Sequence, residues 1–405
     1  MGKDTKSPDY VRVGTQYFKN ANCPNGEGKT IERLIPWSRQ AIVDDHGRDY
    51  LKEIPKFTDF ICRPSHLDYQ RKYGEFYNCY HPLPFYPKQG DWPAIAVFLK
   101  HIFGEQYTLG LDYLTLLYVR PTQILPILVL VSSERNTGKS TFLEFLKAIF
   151  EDNMTLNSNE NSRSQFNSDW ATKSIIANEE TLLRKREDSE RLKSLSTSYR
   201  IKTESKGIDK REIPFFGKFI LCSNNPDDLI YTDQEEIRYW VRDVPTIQEV
   251  DPNLLNKLIA EIPAFLFFLQ DREICSAAKT RMWFSPDDLW TPALQRLKEG
   301  NISTVEKELR ELIREELLTY NIAEICFTRK DLLNLLKDAN VRSVITHQLK
   351  EILTKWGLQP RDNGSTYKQY FIDYTDGQPV QNSRTLSGRY YTFSRDQFAP
   401  NTSIS

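Results

Sequence analysis

No stretch of this sequence is apolar for long enough to cross a bilayer; the clearest apolar run, residues 264–269, suits a short buried helix segment. Its start shows no secretory signal pattern, so a cytoplasmic chain without membrane contact is expected. Cysteine is sparse and scattered: Cys23, Cys62, Cys79, Cys222, Cys275 and Cys326 form no CxxC pair. That argues against a zinc site or a disulfide framework and for reduced thiols. Neither sign of charge is in excess, with 54 Lys and Arg against 55 Asp and Glu. Global charge therefore gives no argument for a nucleic-acid partner, and any basic surface must be local. Repeats and low-complexity tracts are missing too. What is present is 39% hydrophobic and 12% aromatic residues over 405 positions, enough for two or three cored domains.

The most informative segment is Ile127-Leu128-Val129-Leu130-Val131-Ser132-Ser133-Glu134-Arg135-Asn136-Thr137-Gly138-Lys139-Ser140-Thr141-Phe142. An apolar strand runs into a loop, and Phe142, Phe145, Leu146 and Ile149 then mark one helix face. This is a phosphate-binding loop in its proper strand–loop–helix setting. Backbone N–H groups of Asn136, Thr137, Gly138, Lys139, Ser140 and Thr141 can wrap a triphosphate such as ATP. Lys139 would reach the β- and γ-phosphates, and Ser140 would hold Mg²⁺. Ser133 stands where the usual pattern has its first Gly, which removes some backbone freedom. A second Gly-Lys-Thr, Gly28-Lys29-Thr30, follows no apolar strand, has Cys23 at the first-Gly position, and is expected to be a polar loop.

Around this segment the chain divides by pattern. Residues 1–90 are a Tyr-, Pro- and charge-rich mixed region, and 91–120 have helical spacing. Residues 121–250 alternate strand and helix, with strands expected at 127–131, 174–177 and 218–222, which argues an α/β sheet with flanking helices. Residues 251–300 are expected to be helical, with Pro286 and Gly300 punctuating a linker. In 301–405 three helices are followed by an aromatic ribbon turning at Asp376-Gly377. That is the outline of a winged-helix-like domain.

Three further groups fit the chemistry of a phosphate loop. Ser174-Ile175-Ile176-Ala177-Asn178-Glu179-Glu180 is a short strand ending in two carboxylates. One can support the metal and the other polarise an attacking water. Glu179 is assigned to the metal and Glu180 to the water, with the reverse left open; an exposed Glu pair opening a helix is the competing account. Phe219-Ile220-Leu221-Cys222-Ser223-Asn224-Asn225 ends another strand, and Asn224 is placed to bond both a γ-phosphate and the water; a turn-forming Asn-Asn-Pro is the alternative. Finally, Arg238 or Arg242 could cross a subunit boundary to neutralise γ-phosphate charge, or could be solvated arginines.

This order of motifs resembles the superfamily 3 helicases of the AAA+ class, and more narrowly the primase-associated helicases of phages, plasmids and large DNA viruses. The resemblance covers about residues 90–250. It implies an AAA+ P-loop ATPase core with a helical N-terminal region and a C-terminal winged-helix-like domain. It also implies a homo-hexameric ring, ATP and Mg²⁺ at subunit interfaces, and movement along single-stranded or forked DNA during replication of a mobile element. A double Glu in place of an Asp-containing pair also fits the family. No zinc cluster and no aspartate pair for a polymerising primase is found, so a primase would be a separate partner.

Residues 184–211 are the most basic part of the chain, and 199–214 alternate as a β-hairpin. The resemblance implies that such a hairpin projects into the ring channel, where Lys206, supported by Lys202, Lys210 and Arg211, would grip the DNA backbone. A loop that is basic by chance is the competing account. At the level of function the alternative is a DNA-binding adaptor or loader whose nucleotide site is regulatory or structural rather than a motor.

Overall fold

The structure is a computed structural model. It describes residues 9–24, 30–157, 170–180, 186–205, 208–226, 229–230, 232, 236–341, 344, 346–362, 364–375 and 378–399. The chain divides into two units: Met1–Leu182 with Glu187–Pro226 and Ile237–Thr291, and Pro292–Ser405 with Leu183–Arg186 and Asp227–Glu236.

In the first unit, strands with one face buried come first. β1 (Tyr10–Val13), β2 (Gln16–Pro24), β3 (Thr30–Trp37) and, after helix α1 (Arg39–His46), β4 (Lys56–Phe57) form a sheet in the order β3-β2-β1-β4. Ser38 caps α1 by accepting the Ala41 N–H at 3.0 Å. β5 (Asp59–Ile61), β6 (Lys72–Tyr73) and β7 (Phe76–Asn78) make a small second sheet. Val11, Val13, Phe18 and Tyr77 are buried together, with Phe57 and Phe60 against them. The decoy Gly-Lys-Thr falls between β2 and β3. Residues 25–29 lie outside the described residues, and a strand follows them where a phosphate loop needs a helix.

The next elements surround a parallel sheet. α2 (Pro93–Phe103) opens with Pro93, whose missing N–H costs nothing at that position. The next two donors, Ala94 and Ile95, bond the Glu261 carboxylate at 3.1 and 2.9 Å, so a negative group sits at the helix's positive end. α3 (Tyr107–Val119) follows. Then come β8 (Ile127–Val131), α4 (Lys139–Phe150), β9 (Met154–Asn157), β10 (Ile175–Asn178) and α5 (Arg186–Ser196). The antiparallel pair β11 (Arg200–Ser205) and β12 (Ile208–Pro214) precedes β13 (Lys218–Ser223), β14 (Tyr239–Asp243), α6 (Leu254–Asp271) and α7 (Pro286–Leu289).

β14, β8, β13, β10 and β9 lie side by side in that order, all parallel. All five residues of β8 are buried, because a parallel sheet covered on both faces needs unbroken apolar strands. Leu128 and Leu130 pack with Phe142, Phe145 and Leu146 of α4, Phe265 of α6 and Trp240 of β14. Each such side chain contributes about 1.5–3 kcal/mol of burial. The buried Arg272–Asp112 ion pair ties the end of α6 to α3, and Asp112 also accepts from the Cys275 and Ser276 N–H groups at 3.1 and 2.7 Å. The expected mixed α/β class with a parallel sheet is therefore found.

The second unit holds α8 (Pro292–Thr319), β15 (Glu324–Thr328), α9 (Arg329–Asp338), α10 (Thr346–Lys355), the two-stranded ribbon β16 (Thr366–Thr375) and β17 (Gln378–Ser387), β18 (Tyr390–Ser394) and α11 (Arg395–Phe398). β15 pairs antiparallel with β18. Leu309, Ile313, Leu317, Leu332, Leu336, Leu349, Ile352 and Phe393 form its core. Thr328 and Asp331 build a capping box at the start of α9. The Asp376-Gly377 turn lies outside the described residues. Gly300 does not end a helix as expected: α8 runs through it, because a single Gly costs only about 1 kcal/mol against a 28-residue amphipathic stripe. Pro286 likewise opens α7 behind a Ser285–Asp288 capping box instead of marking a linker. Among the described residues no helix is long and apolar enough to cross a membrane.

Candidate functional site

Because the five strands are parallel, their carboxyl ends meet at one edge, where open α/β sheets form clefts. A cleft of about 380 Å³ lies there, lined by Lys139, Ser140, Leu156, Asn157, Glu179, Glu180, Cys222, Ser223 and Asn224. Groups taken from three separate motifs of the sequence thus share one cavity.

The loop after β8 is shaped by backbone geometry. The Ser132 N–H donates to the Ser223 carbonyl at 3.2 Å, and the Ser132 hydroxyl accepts from the Glu134 N–H at 3.1 Å. Asn136 and Gly138 both adopt the left-handed region, at φ 55° and 85°. Gly138 has a second constraint: a Cβ there would lie 3.1 Å from Phe98 and 3.2 Å from Ile247. The loop is held from outside as well. His101 Nε2 donates to the Thr137 carbonyl at 3.0 Å, and the Ile247 N–H donates to the Asn136 carbonyl at 2.9 Å.

At the first turn of α4, Lys139 is nearly buried, and its Nζ donates to the Thr137 hydroxyl at 3.0 Å. Burial pulls its pKa below the usual lysine range, with Cys222 and Asp243 pulling the other way. An anion in the cleft would reverse that burial cost. The Cys222 thiol is pushed up to about 12 by burial, so it is neutral and unreactive.

Glu179 and Glu180 follow β10 and are both exposed. Glu180 sits at φ 50°, uncommon for a residue with a side chain. Asn224 follows β13, the strand between β8 and β10, and is exposed. The oxygen-rich donors Ser140, Glu179 and Glu180 suit Mg²⁺, which is commonly held by one or two carboxylates together with substrate phosphate. Among the described residues no cluster of three His, Cys, Asp or Glu could hold a metal alone, and all six cysteines are free.

The arginines part company. Arg242 Nη1 donates to Gln106 Oε1 at 3.1 Å, and the guanidinium fills the space that a side chain on Gly104 would need. Burial draws its pKa below the usual arginine range. Arg242 is therefore engaged inside its own chain. Arg238 precedes β14, at the amino end of the parallel strands and on the edge opposite the cleft, and its carbonyl accepts the Ile127 N–H at 2.9 Å.

The hairpin expected at 199–214 is present as β11 and β12. Arg200 pairs with Glu212 across it at 3.1 Å, and Lys202 is exposed. Lys206 and the side chains of Lys210 and Arg211 lie outside the described residues.

Asn157, Cys222 and Ser223 line the cleft without having been singled out in the sequence. Asn157 ends β9, a four-residue strand too short and too polar to stand out. Ser223 was hidden by the neighbouring Asn pair.

Among known proteins, residues 130–239 match a family of unknown function, DUF5906. No curated protein matches the sequence. In solved structures, the chain is similar to the apo structure of the NrS-1 C-terminal region (305–718), with a TM-score of 0.57 at 16% identity, covering 92% of this chain and 94% of that one. A further structure of the same region, its A form, gives 0.56 at 17% identity, covering 96% of each chain. At such identity the likeness is one of fold, and it extends over nearly the whole length of both chains.

Proposed function

We propose that this chain is an ATP-driven DNA helicase of the superfamily 3, AAA+ type, acting in replication of a mobile element. The observation that carries the reading is the shared cleft of Lys139, Ser140, Glu179, Glu180 and Asn224. The interposed strand β13 puts Asn224 between the loop strand and the Glu strand. The second unit, with three longer helices and a two-stranded ribbon, fits a winged-helix-like domain.

In this reading the N–H groups opening α4 and the Lys139 ammonium bind the phosphates. Ser140 and Glu179 would hold Mg²⁺, which would supply charge neutralisation to the phosphates. Glu180 takes up the proton of the attacking water, and Asn224 orients that water. Arg238 lies too far from its own cleft, since a five-residue strand spans about 17 Å. Its role requires a second copy, in a ring whose channel the β11–β12 hairpins line to hold single-stranded DNA.

The test is the ATP hydrolysis rate with and without single-stranded DNA, alongside particle mass with nucleotide bound. A DNA-stimulated rate, abolished in Lys139→Ala and carried by an oligomer, is expected. A wild-type chain that binds ATP without turnover would favour an adaptor or loader instead.

A further inference from the structure

The amino ends of the parallel strands carry a second concavity, of about 510 Å³, at the root of the hairpin. It lies wholly within the first unit. Arg63, His66, Tyr73, Arg120, Gln123 and Tyr199 contribute to its walls. The phosphate-loop cleft is at the other edge of the same sheet, so the two cavities are separate.

The walls are fixed by buried polar bonds. Lys218, the first residue of β13, donates its ammonium to the carbonyls of Pro121 and Phe216, and Pro121 lines the cavity. His66 Nδ1 donates to the Tyr118 carbonyl at 2.6 Å. Burial lowers the ring's pKa to about 4, so the imidazole is neutral and Nε2 accepts from the Tyr80 hydroxyl at 2.6 Å; that hydroxyl lies 2.7 Å from the Ser174 hydroxyl.

The mouth differs in character. Arg63 and Arg120 are exposed, and each guanidinium is steadied over an aromatic face, Arg63 over Tyr73 at 4.5 Å and Arg120 over Trp283 at 5.0 Å. Among the described residues neither has a carboxylate within 4.0 Å. Tyr199 is 59% exposed, although its backbone is held by the Phe215 N–H at 2.8 Å. Two available cations and an exposed ring on rigid walls match the two parts of a nucleotide, a phosphate and a base.

We propose that this concavity holds one nucleotide of a single nucleic-acid strand, its phosphate between Arg63 and Arg120 and its base against Tyr199. Only the choice of a strand over a free nucleotide rests on the DNA-motor reading.

The experiment is fluorescence anisotropy of a labelled oligo-dT with the full chain at several salt concentrations. Arg63→Ala/Arg120→Ala and Tyr199→Ala are each expected to weaken binding about tenfold, while binding of a fluorescent ATP analogue stays within about twofold. The double arginine variant should also lower the salt slope by about 0.7, the value for one phosphate on a single strand. Tyr199→Phe should retain wild-type affinity, because stacking needs only the ring. If the wild type binds the oligonucleotide and the variants bind it equally well, the proposal fails and the motor reading stands. If the wild type binds no oligonucleotide, both fail. Arg63-dependent binding of thymidine monophosphate without oligonucleotide binding would overturn the strand in favour of a free nucleotide.

Discussion

His101 of α2 donates from Nε2 to the carbonyl of Thr137, tying the helix before the sheet to the loop after β8. The bond fixes a carbonyl one residue before Gly138, in the loop that leads to Lys139 and Ser140 of the cleft lining. His101→Ala removes that tie without touching the cleft. Nucleotide affinity is expected to fall about three- to tenfold, in line with one net hydrogen bond of about 1 kcal/mol. Calorimetric titration with an ATP analogue checks it; unchanged affinity would show that the loop is rigid without the imidazole.

Gly138→Ala meets two obstacles at once. The left-handed φ costs a residue with a Cβ about 1–2 kcal/mol, and the new methyl would press on Phe98 and Ile247. The expected outcome is a melting temperature lower by several degrees together with loss of nucleotide binding. An unperturbed melt with normal binding would contradict the loop geometry.

Glu180→Gly separates stability from activity. Glycine occupies φ 50° without the steric penalty, so the fold should be as stable as wild type or firmer. ATP turnover should fall at least a hundredfold, with binding retained. Retained turnover would remove Glu180 from the proposed chemistry.

Two buried bases make stability depend on pH. Burial lowers the His66 pKa to about 4 and that of Lys218 to about 7. In both cases the unfolded chain binds the proton more readily. Stability should therefore fall as pH drops from about 6.5 to 4, through His66, and rise from about 7 to 10, through Lys218. Urea midpoints across pH test this: Lys218→Met should flatten the alkaline rise, and His66→Phe the acid fall.

The parts of the fold legible in the sequence are those where burial on both sides demands an unbroken apolar run. β8 matches its expected bounds, β10 is shifted by one residue, and β13 is longer by one. The hairpin was legible because alternation survives on a half-exposed strand. β14 escaped because Arg238, Arg242 and Asp243 give it the look of a charged cluster, although Tyr239, Trp240 and Val241 are buried. Arg242 shows the limit most clearly: nothing local indicates that Gly104 leaves room for its guanidinium 138 positions away in the sequence. The meeting of Lys139, Glu179 and Asn224 could be expected from motif order, while the share of Asn157 depends on β9 forming the outer edge of the sheet.

β13 has one further implication. It begins four residues after β12 ends and finishes one residue before Asn224. A lone six-residue rod, clamped between β8 and β10, thus carries the hairpin at its base and the amide at its tip. Any tilt that a γ-phosphate imposed on the tip would have only residues 215–217, the short link between β12 and β13, to cross before reaching the hairpin.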